Sequence, residues 1–385
     1  MKRLVMAVVV LIAALGFQST PAASPTLTQT AEPYDGGIVF ALSPDGVRSA
    51  RLVIENEWTG RQWVETPPQG ADPVIDWSTD GLPPFAGLRY HWEGIQEDLE
   101  PFWTEPTVVE VGDFSQDWQR LDGEQVSVFW YGEPEVYGQR ALEVAEAHLD
   151  RLTADLGGEV PARAHVVLYQ RQSDYGTTGS RSGEAQARYG VTVQWPCPCG
   201  DDDYLFQVTI PHEITHLWLW PLRNNTPVWF QEGLAVWSEP HDHGEQSVLL
   251  SRIAPRDELF SWHEMQHRYY NDAESMRRWY AQAWGMVDYI DRRGDLREML
   301  DYLRDQPHGE FEGAMRATSG INSAQLLQDW RSSVGAPQRV ERGHVAPAIS
   351  NSPRENNVDW LLVGLEVLAL VLLQIWKRQG RTADR

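Results

Sequence analysis

The chain has 385 residues and a formal net charge of −23, long enough for two domains with separate cores and too acidic for nucleic-acid binding or adhesion to an anionic membrane surface. Its only lysines are Lys2 and Lys377, which removes phosphate-loop, Schiff-base and Ser-Lys chemistry from everything between them. The only cysteines, Cys197 and Cys199 in WPCPCG, can form a strained bridge, remain thiols or touch a metal, but two thiolates alone do not complete a zinc site.

Residues 1–23 read as a signal peptide, with Lys2 and Arg3, an apolar run from Leu4 to Phe17, and the small residues Ala22 and Ala23. A Pro/Thr/Ser-rich spacer, 24–33, follows. Across 34–113 the segments GGIVFAL, ARLVIENEW, PVIDW, LRYHWEG and PTVVEVG are separated by Pro, Gly and Asp turns. That spacing predicts a small β-sandwich of immunoglobulin type.

After residue 114 the period changes. EQVSVFWYG predicts a strand, and Glu135–Leu156 an amphipathic helix with Ala141, Val144, Ala145, Leu149 and Leu152 on one face. His148, near that face, reads as a packed side chain. ARAHVVLYQ and RYGVTVQW are further strands, and helices fill Tyr204 to about Val334. Strands followed by helices predict an α+β domain over 114–334.

Residues 335–357 read as a linker. Val358–Trp376 is long and apolar enough to span a bilayer, with Trp360 and Trp376 near its ends and Lys377, Arg378, Arg381 and Arg385 after it. This predicts a single transmembrane helix, a cytoplasmic tail at 377–385, and an ectodomain outside. Glu366 lies mid-span, where a carboxyl group is protonated or paired in a helix oligomer.

Two pentapeptides fit H-E-x-x-H: HEITH at 212–216 and HEMQH at 263–267. On a helix the two histidines share a face and can hold one cation, with the glutamate directed at the metal's water. HEITH lies between the apolar segments LFQVTI and LWLW, and Pro211 suits a first helical turn. Thr226 as N-cap and Pro227 as first residue predict a second helix, VWFQEGLAVW. Its Glu232, sixteen residues after His216, can fold back as third ligand, and Gly233 permits close helix approach. HEMQH is followed by polar RYYNDAESMRR and reads as a solvated helix face.

PHEITH followed by PVWFQEGLAVW resembles the gluzincin peptidases, in particular small exported bacterial proteins of the peptidase MA-like group, whose pattern is HExxH, a spacer and P-x-W-x-x-E-G-x-A. The likeness continues through WYAQAWGMVDYIDRRGDLREML and GINSAQLLQDWR and covers roughly 114–334. HEMQH falls between the group's blocks. The resemblance implies a zincin-like, thermolysin-type fold and Zn²⁺ on His212, His216 and Glu232. It also implies peptide-bond hydrolysis by a zinc-activated water, with Glu213 as general base and later proton donor.

Tyr280, in the Y-A-Q stretch, is the candidate oxyanion stabiliser, with His241, His243 and His267 as rivals. Ala283 departs from the serine usual in the group. RYGVTVQW is expected to form the edge along which an extended peptide adds. Two other readings stay open: a cell-surface adhesion or scaffold protein with a vestigial zinc site, and a non-proteolytic zinc hydrolase. The retained Glu213 favours an enzyme, since a scaffold needs no general base between its ligands.

Overall fold

The computed structural model describes residues 27–43, 46–177, 182–196, 202–267, 272–306 and 310–337. The first eight strands are β1 (Gln29–Tyr34), β2 (Gly37–Leu42), β3 (Val47–Asn56), β4 (Gln62–Glu65), β5 (Val74–Ser78), β6 (Gly87–Gln96), β7 (Pro101–Trp103) and β8 (Thr107–Glu110). One antiparallel sheet runs β1-β2-β5; a second runs β4-β3-β6-β7, with β8 also on β6. Alternate apolar residues of both, including Ile38, Phe40, Leu52, Ile54, Leu88 and Trp92, join one core, as half-buried strands require. β1 starts inside the stretch expected as spacer. It pairs with β2 along its whole length, and the Gln29 amide donates to the Glu105 carbonyl at 2.6 Å and Thr107 Oγ1 at 2.8 Å. Backbone pairing, rather than an apolar face, makes this strand.

The next sheet has the order β12-β13-β11-β10-β9, from β9 (Gln119–Asp122), β10 (Val126–Trp130), β11 (Ala164–Leu168), β12 (Gly183–Gln186) and β13 (Val191–Gln194). β10, β11 and β13 are parallel; β9 and β12 are antiparallel edges. The central strands are buried on both faces, which is why they read as unbroken apolar runs. Val126, Val128, Trp130, Ala164, Val166 and Leu168 face the helices. Phe129, Tyr131, Val167, Tyr169, Val191 and Val193 face the β-sandwich and share its core. Phe85 stacks on Phe129 with ring centroids 4.1 Å apart.

RYGVTVQW is not an edge. Its strand, β13, is hydrogen-bonded on both sides, to β11 and to β12. Among the described residues the edge is the short GEAQ segment of β12, which has no β-branched residue to announce it.

The helices are α1 (Glu135–Leu156), α2 (Ile210–Trp218), α3 (Val228–Ser238), α4 (Gly244–Ile253), α5 (Trp262–Gln266), α6 (Ala273–Arg292), α7 (Leu296–Asp305), α8 (Phe311–Ser319) and α9 (Ser323–Ser333). α1 has the predicted limits and buries Ala141, Ala145, Leu149 and Leu152. Among the described residues no helix is long and apolar enough to cross a membrane. The expected signal peptide, the span Val358–Trp376 with Glu366, the tail, and Cys197 and Cys199 lie outside the described residues.

Candidate metal centre

α2 carries HEITH across β12 and β13. A π-helical turn, Leu205–Thr209, runs directly into it. Pro211 has no N–H and its ring crowds the carbonyl four residues back; a wider turn there relieves both constraints. The helical path therefore starts earlier than the first-turn proline suggests. His212 and Glu213 are 6% and 2% exposed, and the His216 side chain is 9% exposed. The expected burial of this helix is thus observed.

α3 supplies Glu232, which is 1% exposed. Glu232 Oε2 lies 3.6 Å from Nε2 of His212 and 3.6 Å from Nε2 of His216. One ligand atom from each residue falls within 4.8 Å of the others. Thr226 does not cap α3. Its hydroxyl donates to the Leu222 carbonyl at 3.1 Å, closing the preceding 3₁₀ segment, and Pro227 occupies the N-cap position. Gln231 ties this corner down by donating to the Thr226 carbonyl at 2.8 Å.

α6 packs along α3 at Gly233. A Cβ on Gly233 would stand 2.4 Å from the Ala283 carbonyl oxygen, so the expected close approach is observed and glycine is required. Gly233→Ala should cost about 1–3 kcal/mol of stability by overpacking, read as a lower denaturant midpoint at unchanged slope. That approach brings Tyr280 into the site, where its hydroxyl donates to Glu232 Oε2 at 2.9 Å. Two residues on, the Gln282 amide accepts from the Phe260 N–H at 2.8 Å and donates to its carbonyl at 3.0 Å. Gln282 thereby fixes the loop before α5.

Glu239, just past the end of α3, has no counterpart in the sequence reading. Its Oε1 accepts from His212 Nδ1 at 2.9 Å, which fixes that ring's tautomer and turns Nε2 towards Glu232. No fixed spacing marks such a carboxylate; only the fold shows it. Burial disfavours a charged His212 ring, but Glu232 and Glu239 outweigh burial and hold its pKa well above the ordinary value. The pocket is electrostatically arranged for positive charge. His216 Nε2 is buried without a hydrogen-bond partner, at the point where the two other donors converge. Two imidazoles and a carboxylate suit zinc, so the residues present fit that ion.

The middle of HEITH is braced from α1. His148 Nε2 lies 2.8 Å from Thr215 Oγ1, and the Arg151 guanidinium donates to His148 Nδ1 at 2.8 Å. Nδ1 must therefore be the acceptor and Nε2 the donor. Burial pushes the His148 pKa down to about 3, with Arg151 and His212 adding to it. His148 is the packed histidine expected of it.

HEMQH has a different geometry. Its helix, α5, is five residues long, and His267 leaves it with φ −129° and ψ 138°. Glu264 is committed to a capping box with Ser261, accepting from the Ser261 N–H at 2.7 Å. His263, Glu264 and His267 are exposed, and no metal-ligand group of three among the described residues includes them. His241 and His243 also stand apart from Glu232; they gather around Glu239.

No family model matches the sequence, and no curated protein does. Solved structures similar to the chain include an M1 zinc metallopeptidase variant from Deinococcus radiodurans bound to a Tyr-Ser-Ala substrate, at 12% identity and TM-score 0.36, covering 79% of this chain and 90% of that one. A second structure of such a variant from the same organism aligns at 13% identity and TM-score 0.36, covering 78% and 90%. A polysaccharide deacetylase from Bacillus cereus aligns at 10% identity and TM-score 0.19, covering 38% and 51%.

Proposed function

We propose that this chain is a zinc-dependent peptidase of gluzincin type, akin to the small exported peptidase MA-like proteins. In this reading it is anchored by Val358–Trp376 with its catalytic part outside the cytoplasm. The observation that carries the reading is the meeting of His212, His216 and Glu232 within 4.8 Å, with Glu213 on the same buried helix beside β12, the end strand of the sheet among the described residues.

His212, His216 and Glu232 hold the ion. Zinc, when bound, supplies a Lewis acid that polarises the scissile carbonyl and acidifies a water. Glu213 takes the proton from the attacking water and returns it to the leaving amine nitrogen. Tyr280 restrains Glu232 through its hydroxyl. Because that single proton is already donated, Tyr280 acts on the oxyanion only by releasing the carboxylate.

The peptide lies along β12. The Trp195 N–H donates to the Ser182 carbonyl at 3.0 Å, so the alternation of an antiparallel ladder turns the N–H and C=O of Gly183 and Ala185 outward. Gly183 has reason to be glycine, since a Cβ there would meet Glu213 Cγ at 3.1 Å and Oε1 at 3.2 Å. Ala185→Pro removes one outward N–H without touching the pairing to β13. It should lower kcat/KM for peptides roughly tenfold at unchanged zinc content; unchanged cleavage would count against this edge.

The deciding experiment measures zinc content and hydrolysis of a peptide library by the purified protein and by His216→Ala. Wild type should carry zinc and cleave peptides, and the variant should lose both. Zinc-loaded wild type that cleaves nothing in the library would favour the scaffold reading; hydrolysis confined to non-peptide substrates would favour another zinc hydrolase.

A further inference from the structure

A second group of metal-ligating side chains sits on the loop joining α3 to α4, in the order Glu239, Pro240, His241, Asp242, His243. One donor atom each from Glu239, His241 and His243 lies within 4.8 Å of the others. The Glu239 side chain is 3% exposed and that of His241 26%. Glu239 Oε1 serves His212, as described. The other oxygen, Oε2, is 3.2 Å from His241 Nδ1. The His241 and His243 rings face each other with centroids 4.7 Å apart.

A carboxylate that merely orients His212 needs only Oε1. It does not require two imidazoles beside Oε2. Nδ1 of His243 is buried and lacks a hydrogen-bond partner, and the buried Nδ1 of His241 has no partner beyond its ion-pair contact with Glu239 Oε2. Buried polar nitrogens left in that state are unfavourable; a cation between them and Oε2 would satisfy both at once. The loop is set before any ion arrives. The Gly244 N–H donates to Asp242 Oδ1 at 3.0 Å, and the Ser247 N–H donates to the His243 carbonyl at 3.1 Å. The remaining side of the site is more open, and His243 packs against Trp284 with centroids 5.5 Å apart.

We propose that Glu239, His241 and His243 form a second divalent transition-metal site, linked to the His212–His216–Glu232 centre through the two oxygens of Glu239. Two imidazole nitrogens and one carboxylate oxygen suit zinc, copper, nickel or cobalt rather than calcium or magnesium, which take mainly oxygen. The existence of this site does not depend on the peptidase reading; its coupling to the first site does. A cation on Oε2 draws electron density away from Oε1 and loosens its hold on His212. By linkage, an ion at either site weakens binding at the other. The second site is half-open and feels the charge of the first, so it binds at least tenfold more weakly.

The test uses the full-length protein stripped of metal and titrated with Zn²⁺ against a chelating indicator. Wild type, the double variant His241→Ala/His243→Ala, His216→Ala and His267→Ala are compared. Wild type should take two equivalents, the second at least tenfold weaker. The double variant should keep the tight equivalent and lose the weak one, whereas His216→Ala should lose the tight one and keep the weak one. His267→Ala should keep both. Thermal melts of the metal-free proteins establish that each variant folds, and the single variant His243→Gln should weaken the second equivalent without abolishing the first. Saturation of wild type at one equivalent overturns the proposal. So does a double variant that binds as wild type does, or a second equivalent lost in His267→Ala, which would assign it to HEMQH. If His216→Ala binds as wild type while the double variant loses an equivalent, the first centre has been misread and the second stands.

Discussion

Glu213→Gln is expected to leave the zinc content unchanged and to lower kcat/KM for peptide hydrolysis by roughly 10³-fold, about 4 kcal/mol of transition-state stabilisation. The substitution is close to isosteric, and the site is tight enough for that to matter. Glu213 is 2% exposed, and even a Cβ added at Gly183 would crowd its side chain. An amide fills the same space but cannot take a proton from water. The three ion-holding residues are untouched, so metal and chemistry separate in this variant. Single-turnover measurements with zinc determined on the same sample provide the check. Activity within tenfold of wild type would mean that another group is the base. Loss of zinc would mean that Glu213 acts by supporting the ligands.

Acid should destabilise the protein through His148, and His148→Gln should remove that part of the effect. The native ring stays neutral down to about pH 3, whereas the unfolded chain's histidine takes a proton near pH 6.5. Between these values the unfolded state binds the extra proton, so stability rises with pH there and is lost as pH falls from 6.5 towards 3. One proton corresponds to about 1.4 kcal/mol per pH unit, a few kcal/mol over the window. His165 and His243 are also held below the ordinary value by burial and add in the same sense; His212 is shifted the opposite way. The informative quantity is therefore the difference between wild type and His148→Gln in urea unfolding at several pH values. Glutamine can still donate to Thr215 and accept from Arg151, so the brace remains without the titration. Parallel pH profiles for the two proteins would refute the assignment.

The parts legible in the sequence were those with a strong period or a fixed spacing. α1 carries an unbroken apolar stripe, and its limits follow from it. HEITH and Glu232 were legible because helical geometry dictates the interval between histidines and because both helices are apolar around them. Features set by neighbours were not legible. β1 exists through its pairing with β2, and β12 has Gly, Glu, Ala and Gln in place of a strand signal, so the sequence pattern points to an edge one strand too far in. Thr226 and Pro227 spell a helix start, but the hydroxyl of Thr226 is drawn back to a carbonyl of the preceding turn. Glu239 lies on no motif, and its importance comes from where α3 ends. The second HExxH is spelled correctly and fails on helix length, since α5 ends before its second histidine.

The aromatic layer between the β-sandwich and the five-stranded sheet bears on how the chain can come apart. Phe129, Tyr131, Val167, Tyr169, Val191 and Val193 belong to the sheet that supports the metal helix, yet they share one core with Phe40, Leu88 and Trp92 of the sandwich. Trp58 reaches farther, into the helical side's core, so close to Gly190 that a Cβ there would overlap its ring. The sandwich is thus the inner lining of the half that carries HEITH rather than a detachable neighbour. Cut away, it would leave a mixed sheet with one face bare and prone to self-association. The residues on both sides of that layer are therefore shielded together or exposed together.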